Sequence, residues 1–167
     1  MMKKLILVLS LIVGISLPSF ASTNKVESLF NAHEKSLTLS SGYVYDGCDL
    51  FGADYQNNVT AGVAYFPTKV LGVEGRVPFY QSEGVSVTEA QAGVLFRVPF
   101  HHFAPYVGLG AAYNWNEVVD ISYIAKGGLE YRFNKGWGLF TEYQYRNNDS
   151  NWELGTSSVH AGVRFVF

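Results

Sequence analysis

The chain ends in an eleven-residue stretch, 157–167, that reads Ser-Ser-Val-His-Ala-Gly-Val-Arg-Phe-Val-Phe. Apolar side chains occupy every second position from Val159 to Phe167, and polar or small side chains such as His160 and Arg164 occupy most positions between them. Successive side chains point to opposite faces of a β-strand, so this alternation predicts a strand with one apolar face.

The same alternation recurs upstream in segments of similar length. Eight segments are predicted as strands, at 37–46, 58–66, 70–81, 86–99, 105–115, 121–133, 137–147 and 157–167. A soluble β-sandwich also alternates, but consecutive segments of about ten residues match the strand length that crosses a bilayer at a tilt of about 45°. The predicted fold is therefore all-β, an eight-stranded antiparallel transmembrane up-and-down β-barrel.

The connections between these segments alternate between short and long. The short ones are 67–69, 101–104 and 134–136, and the long polar ones are 47–57, 114–120 and 148–156. The connection at 82–85 is short for its place in this scheme. Outer-membrane barrels keep short turns on the periplasmic side, so the pattern predicts that both ends of the barrel segment face the periplasm.

The start of the chain has the pattern of an export signal. Basic Lys3 and Lys4 precede an apolar run at 5–17 that is too short to span a membrane, and small residues flank a cleavage position after Ala21. We predict a cleaved signal peptide at 1–21, an N-terminal periplasmic segment at 22–36 and the barrel at 37–167.

The N-terminal periplasmic segment does not alternate. Four of its residues stand at roughly helical spacing, namely Val26, Leu29, Phe30 and His33. A short periplasmic helix and a frayed tail are both open for this segment.

Composition and charge narrow the classes of partner. The chain has 12 Lys and Arg against 14 Asp and Glu, and loss of Lys3 and Lys4 with the signal widens this acidic excess, which argues against a nucleic-acid partner. The single cysteine, Cys48, cannot form an intramolecular disulfide. An aromatic share of 16% and 17 glycines suit a membrane barrel.

Charged residues within the predicted strands share one parity. An Arg or Lys facing lipid at the bilayer midplane costs about 2–4 kcal/mol, so this parity marks the lumen face. The predicted lumen charge network comprises Glu74, Arg76, Glu89, Arg97, Lys126, Glu130, Arg132, Glu142, Arg146 and Arg164. An eight-stranded barrel has an interior just wide enough for side chains, so Glu/Arg pairs are expected to plug it. Inward glycines, among them Gly108, Gly110, Gly128 and Gly162, are expected to make room for them.

Several stretches resemble the OmpA/OmpX-like family of small outer-membrane β-barrels. They are 105–113 (Pro-Tyr-Val-Gly-Leu-Gly-Ala-Ala-Tyr), 127–133 (Gly-Gly-Leu-Glu-Tyr-Arg-Phe), 142–146 (Glu-Tyr-Gln-Tyr-Arg) and 163–167. The resemblance implies an eight-stranded barrel in the bacterial outer membrane. It also implies an assembly signal in the last strand, which the outer-membrane assembly machinery reads and which here consists of Ala161, Val163, Phe165 and Phe167.

The sequence offers only weak candidates for a catalytic or metal-binding site. His160 and Ser158 share a face and lie about 7 Å apart along a strand, and Glu142 or Glu130 could orient the histidine. We favour the interpretation that His160 is one more polar lumen residue. The adjacent pair His101-His102 lacks further metal ligands nearby in the sequence, so no catalytic, cofactor or metal site is expected.

The family resemblance does not imply one activity, since its members include structural proteins, adhesins and narrow channels. We expect a structural or surface-interaction role without enzymatic activity. A narrow channel for ions or small solutes is the alternative, and a lipid-modifying enzyme is the least supported. Expected partners are outer-membrane lipid and lipopolysaccharide, the assembly machinery with periplasmic chaperones, and an extracellular ligand that the acidic and aromatic loops could bind, with no nucleic acid.

Overall fold

A computed structural model describes residues 28–46, 56–81, 85–86, 89–115, 120–147 and 155–167. The predicted signal peptide, Cys48 and most of the long predicted loops lie outside these residues. Within the described part of the chain, no helix has the length and apolar character needed to cross a membrane.

The described residues form one antiparallel sheet of nine strand segments. They are β1 (Glu34–Asp46), β2 (Gln56–Phe66), β3 (Leu71–Gln81), β4 (Val85–Ser86), β5 (Glu89–Arg97), β6 (Phe103–Asn114), β7 (Asp120–Arg132), β8 (Trp137–Asn147) and β9 (Thr156–Val166). Both β4 and β5 pair with β3, so together they make the fourth strand of the barrel. The barrel thus has eight strands, which confirms the predicted fold.

The barrel closes because the first and last strands pair with each other. Leu39 of β1 lies opposite Val163 of β9, and the other edge of β1 pairs with β2, where Leu37 lies opposite Val63. Along the described residues every barrel strand pairs with two neighbours. This arrangement leaves no sheet edge to face hydrocarbon, where an unpaired backbone amide would cost several kcal/mol.

The two faces of the sheet have opposite chemistry. Apolar side chains such as Leu109 and Tyr123 are 66% and 64% exposed on the outside, whereas Arg132 and Arg164 are at most 1% exposed inside. In β8 exposed and buried residues alternate from Trp137 onward. A soluble protein buries apolar side chains and exposes charged ones, and this barrel does the reverse. That arrangement suits an exterior surrounded by lipid.

The short turns lie at the end of the barrel where β1 begins and β9 ends, which in outer-membrane barrels is the periplasmic end. β1 begins at Glu34, three residues before the predicted start at 37, because the alternating pattern of β1 continues upstream to that residue.

The segment 28–33, just before β1, is neither a helix nor a frayed tail. The Leu29 backbone N–H donates to the His101 carbonyl between β5 and β6 (3.1 Å), and the His33 N–H donates to the Phe66 carbonyl at the end of β2 (2.7 Å). His33 has a φ of 62°, a left-handed conformation in which His is enriched among residues with a side chain. The segment therefore runs across the periplasmic mouth of the barrel.

Candidate functional site

The lumen contains three clusters of ion pairs stacked along the barrel axis. The upper cluster comprises Glu89 and Arg146, the middle cluster Glu74, Arg76, Lys126 and Glu142, and the lower cluster Glu34, Arg97, Glu130, Arg132 and Arg164. The upper cluster lies near the long-loop end of the strands and the lower cluster near the short-turn end. The structure thus places all ten residues of the predicted network inside the barrel.

The upper cluster is the smallest. Arg146 of β8 forms an ion pair with Glu89 of β5, and the side-chain amide of Gln91 donates to the same carboxylate (2.8 Å). Strands β5 and β8 lie three places apart around the barrel, so the pair reaches across the lumen.

The middle cluster spans the full diameter. The Arg76 guanidinium on β3 donates to both oxygens of Glu142 on β8, at 2.5 and 2.9 Å, and these strands are diametrically opposite. The hydroxyl of Tyr106 also donates to Glu142 (2.9 Å), and Lys126 forms an ion pair with Glu74. A bidentate Arg–carboxylate pair is the strongest and geometrically most defined form of this contact.

The lower cluster is built around Glu34, which the sequence analysis placed outside the barrel. Its two carboxylate oxygens accept from Arg132 at 2.8 and 3.0 Å, and Oε2 also accepts from Arg97 (2.7 Å). Arg97 lies on β5 and Arg132 on β7, so one carboxylate ties β1 to two distant strands. Glu130 accepts from Arg132 Nε (2.8 Å) and lies 3.4 Å from Arg164 Nε.

An aromatic ring lies at the periplasmic mouth below these charges. Phe30 is fully buried, and its ring centroid lies 4.2 Å from Cζ of Arg132 and 5.0 Å from Cζ of Arg97. The carbonyls of Leu29 and Asn31, on either side of it, accept from Arg132 (3.0 Å) and Arg97 (3.1 Å). A cation over an aromatic face is attractive, and more so when it is desolvated.

Of the four inward glycines named for this role, Gly108 leaves room for a charged side chain, since a Cβ there would meet the Lys126 chain at 2.9 Å. At Gly110, Gly128 and Gly162 a Cβ would first meet a backbone oxygen, so these three permit a close approach of strands instead. The space at Gly128 also accommodates the Tyr106 ring, which a Cβ would meet at 2.6 Å.

Ser158 and His160 meet, but they do not form a catalytic triad. His160 Nε2 lies 2.9 Å from Ser158 Oγ, and both residues are buried in the lumen. The other ring nitrogen, Nδ1, has no hydrogen-bond partner among the described residues, so no carboxylate orients the ring. A triad needs that third group on the base.

The histidine pair of the periplasmic turn does not converge on a common point. The rings of His101 and His102 are nearly perpendicular with centroids 4.1 Å apart, and His102 Nδ1 lies 2.7 Å from the Arg132 carbonyl. Among the described residues, no group of three or more His, Cys, Asp or Glu side chains could hold a metal ion.

The residues of the predicted assembly signal lie on the outer face of β9 and just past its end. Ala161, Phe165 and Phe167 are exposed, and Val163 is half-buried between Leu39 and Leu139 of the neighbouring strands. The Phe167 backbone pairs with Lys35 at the start of β1, so the C-terminal residue extends the pairing of the first and last strands.

A closed eight-stranded barrel with an apolar exterior and a charged interior defines an integral outer-membrane protein. The sequence agrees: the outer membrane protein beta-barrel domain family matches residues 7–165, and the chain belongs to this family. The predicted resemblance and the outer-membrane location are therefore confirmed. Among curated proteins, no relative matches the chain.

Solved structures of small bacterial barrels share this fold. The attachment invasion locus protein Ail of Yersinia pestis is 17% identical, with 81% of this chain and 99% of that chain covered and a TM-score of 0.59. The N-terminal barrel of Pseudomonas aeruginosa OprF is 15% identical, with 79% of this chain and 97% of that chain covered and a TM-score of 0.59. Neisserial surface protein A is 14% identical, with 80% of this chain and 97% of that chain covered and a TM-score of 0.60. Ail has also been solved with the heparin analogue sucrose octasulfate. At this identity the likeness concerns the fold.

Proposed function

We propose that the protein is a structural or surface-interaction barrel of the outer membrane, and that Glu/Arg pairs plug its lumen. The observation that carries this proposal is the Arg76–Glu142 pair, because its two hydrogen bonds join opposite walls of the barrel. The ring of Phe30 provides a second closure at the periplasmic mouth. Opposed and complete charge pairing blocks a pore, whereas an unpaired ring of one sign conducts.

The protein has no enzymatic role in this proposal. A lipid-modifying enzyme needs an activated nucleophile that its lipid substrate can reach. Ser158 faces the lumen rather than lipid, and His160 lacks an orienting carboxylate among the described residues. A mass change in lipid A on expression of the gene, lost on His160→Ala, would contradict this part of the proposal.

The outer face of β9 serves in this proposal as the signal for the assembly machinery. Support comes from the exposure of Phe165 and Phe167 at the periplasmic end, where a periplasmic chaperone or an assembly factor could read them before closure. Pairing of Phe167 with Lys35 then completes the barrel.

Surface interaction would fall to the long loops, whose sequence carries only one sign of charge. The stretches 47–55, 115–119 and 148–155, and the shorter connection 82–84 at the same end, contain Asp and Glu but no Lys or Arg. A sulfated ligand of the kind bound by Ail is therefore disfavoured here. Partners that fit are a positively charged protein surface, or lipopolysaccharide phosphates bridged by divalent cations.

The experiment that tests the proposal is conductance across a planar bilayer. Residues 22–167, refolded in lipid and checked by β-structure and a heat-modifiable gel shift, are expected to give no steady channels. A matched variant lacks residues 22–33 and carries both Arg76→Ala and Glu142→Ala, which together leave the net charge of the lumen unchanged. We expect this variant to conduct, since it loses both closures.

Steady channels from the unaltered chain would instead support the alternative function, a narrow channel for ions or small solutes. The inward Glu and Arg residues would then determine its selectivity.

A further inference from the structure

Arg164 is the least satisfied charge among the described lumen residues. It is 1% exposed, and its Nε and Nη1 atoms have no hydrogen-bond partner among the described residues. Its nearest carboxylate oxygen, Oε2 of Glu130, lies 3.4 Å from Nε, and that carboxylate already binds Arg132. A guanidinium does not deprotonate in proteins, so Arg164 keeps its charge.

The charge balance points to the same place. The upper cluster has one cation and one carboxylate, and the middle cluster has two of each. The lower cluster has three guanidinium groups, those of Arg97, Arg132 and Arg164, against two carboxylates, Glu34 and Glu130. The described lumen therefore carries one surplus positive charge, and it lies in the lower cluster.

The surroundings of Arg164 offer other unused donors. Nη1 of Arg97 and Oγ of Ser36 are buried without a hydrogen-bond partner among the described residues. Ser36 lies diagonally across the β1–β9 pairing from Arg164, whose direct partner is Thr38. Arg97 and Arg164 both lie against the Phe66 ring, with Cζ atoms 3.7 and 5.7 Å from its centroid.

We propose that the lower cluster binds one small monovalent anion, of the size of chloride, held by Arg164 Nε and Nη1 with the hydroxyl of Ser36. An uncompensated buried charge is expensive, and an anion neutralises it while accepting the unused hydrogen bonds. A water molecule could accept those bonds, but it would leave the surplus charge in place. A multivalent anion would overcompensate it, and the lumen of an eight-stranded barrel is only wide enough for side chains.

The test compares anions at constant ionic strength. The refolded protein in lipid vesicles is unfolded with urea in sodium gluconate, and gluconate, which is too bulky for the site, is replaced stepwise by chloride or bromide. A ligand that binds only the folded state stabilises it in a saturable manner. We expect the urea midpoint to rise with chloride and then level off, and we expect no such rise in Arg164→Met.

A control arginine separates this effect from general loss of lumen charge. Arg146→Met removes one cation from the upper cluster, where charge is balanced, and should retain the chloride response. Equal urea midpoints of the unaltered protein in gluconate and chloride would overturn the proposal, and so would an unchanged response in Arg164→Met.

A carboxylate introduced at the proposed site should neutralise Arg164 in place of the bound anion. Ser36→Asp puts a carboxylate beside Arg164, so we expect a higher urea midpoint in gluconate and no further rise with chloride. Ser40→Asp, also buried and inward-facing on β1 but next to Gly162, should lower the midpoint and keep the chloride response. Loss of stability in both variants to the same extent would contradict a surplus positive charge at Ser36.

Bromide provides a measurement that needs no variant. Crystals of the unaltered protein refolded and grown in bromide are expected to show one anomalous peak inside the barrel, beside Arg164 and Ser36. Water density at that position without an anomalous signal would overturn the proposal.

Discussion

At the residue scale, Glu34 joins three separate parts of the barrel. It accepts from Arg97, Arg132 and the backbone N–H of Asn31, so it fixes both the strands and the segment that crosses the mouth. The cluster is already one carboxylate short. Loss of Glu34 therefore leaves two guanidinium groups without their main counter-charge.

We predict that Glu34→Gln lowers the free energy of unfolding by about 3–5 kcal/mol, the cost of removing one partner of a buried ion pair. Urea unfolding in lipid vesicles measures it. Lys35→Gln, at the adjacent exposed residue, removes one charge of the opposite sign and should leave the free energy of unfolding nearly unchanged. If the two variants are equally stable, Glu34 does not hold the cluster.

Phe30 fills the space between two guanidinium groups. Phe30→Ala leaves a cavity and removes both cation–π contacts, so we expect a loss of about 3–5 kcal/mol in the free energy of unfolding, as for other buried Phe→Ala changes. Leu29→Ala, one residue earlier and half-buried, should cost less in the same urea assay. An equal or smaller loss for Phe30→Ala would place its ring outside the mouth.

The sequence predicted the ten residues of the lumen network but not Glu34 or Phe30. Glu34 could have been predicted, because Glu34 and Ser36 extend the inward-facing series of Thr38 and Ser40 upstream of residue 37. Phe30 could not have been predicted in the same way, because its burial depends on Arg97 and Arg132, which lie on strands far away in the sequence. Pairing within the clusters depends likewise on which strands face each other across the lumen.

At the element scale, β9 shows how strictly the position of a residue in a strand determines whether it faces lipid or the lumen. Val163 and Arg164 are neighbours in the chain, yet Val163 lies between Leu39 and Leu139 on the outer face while Arg164 is buried in the lumen. A shift of one residue in register would exchange the two faces of the strand.

We predict that Val163→Arg impairs membrane insertion, because an arginine facing lipid costs about 2–4 kcal/mol near the midplane. Arg164→Gln should be tolerated, because it faces the lumen. The heat-modifiable gel shift after refolding in lipid reports the inserted fraction of each variant. Equal tolerance of both substitutions would show that the register of β9 is wrong.

Strand positions were predictable because alternation extends over whole strands. The observed ends agree with the predicted ones within three residues, and β8 matches at both ends. The greatest departure at a strand start is at β1, where the predicted periplasmic segment supplies the first strand residues. The fourth barrel strand was predicted as one segment, 86–99, whereas β4 and β5 are separate stretches of paired backbone.

At the scale of the whole molecule, the barrel reverses the arrangement of polar and apolar side chains found in a soluble protein. Its exterior faces lipid with apolar side chains, and its interior holds the charges, so stability requires that the interior charges find partners. The three clusters meet that requirement along the lumen except at Arg164, the surplus cation of the lower cluster. The central claim is that these contacts close the lumen to water.

Hydrogen exchange at the arginine Nε–H groups tests this claim most directly. In lipid nanodiscs, nuclear magnetic resonance can follow exchange at Arg76, Arg97 and Arg132, with Arg146, whose side chain is 14% exposed, as the internal reference. We predict that the first three exchange far more slowly than Arg146 and than the same groups in the urea-unfolded chain. Exchange of all four at the unfolded rate would show a water-filled lumen and would contradict the plugged barrel.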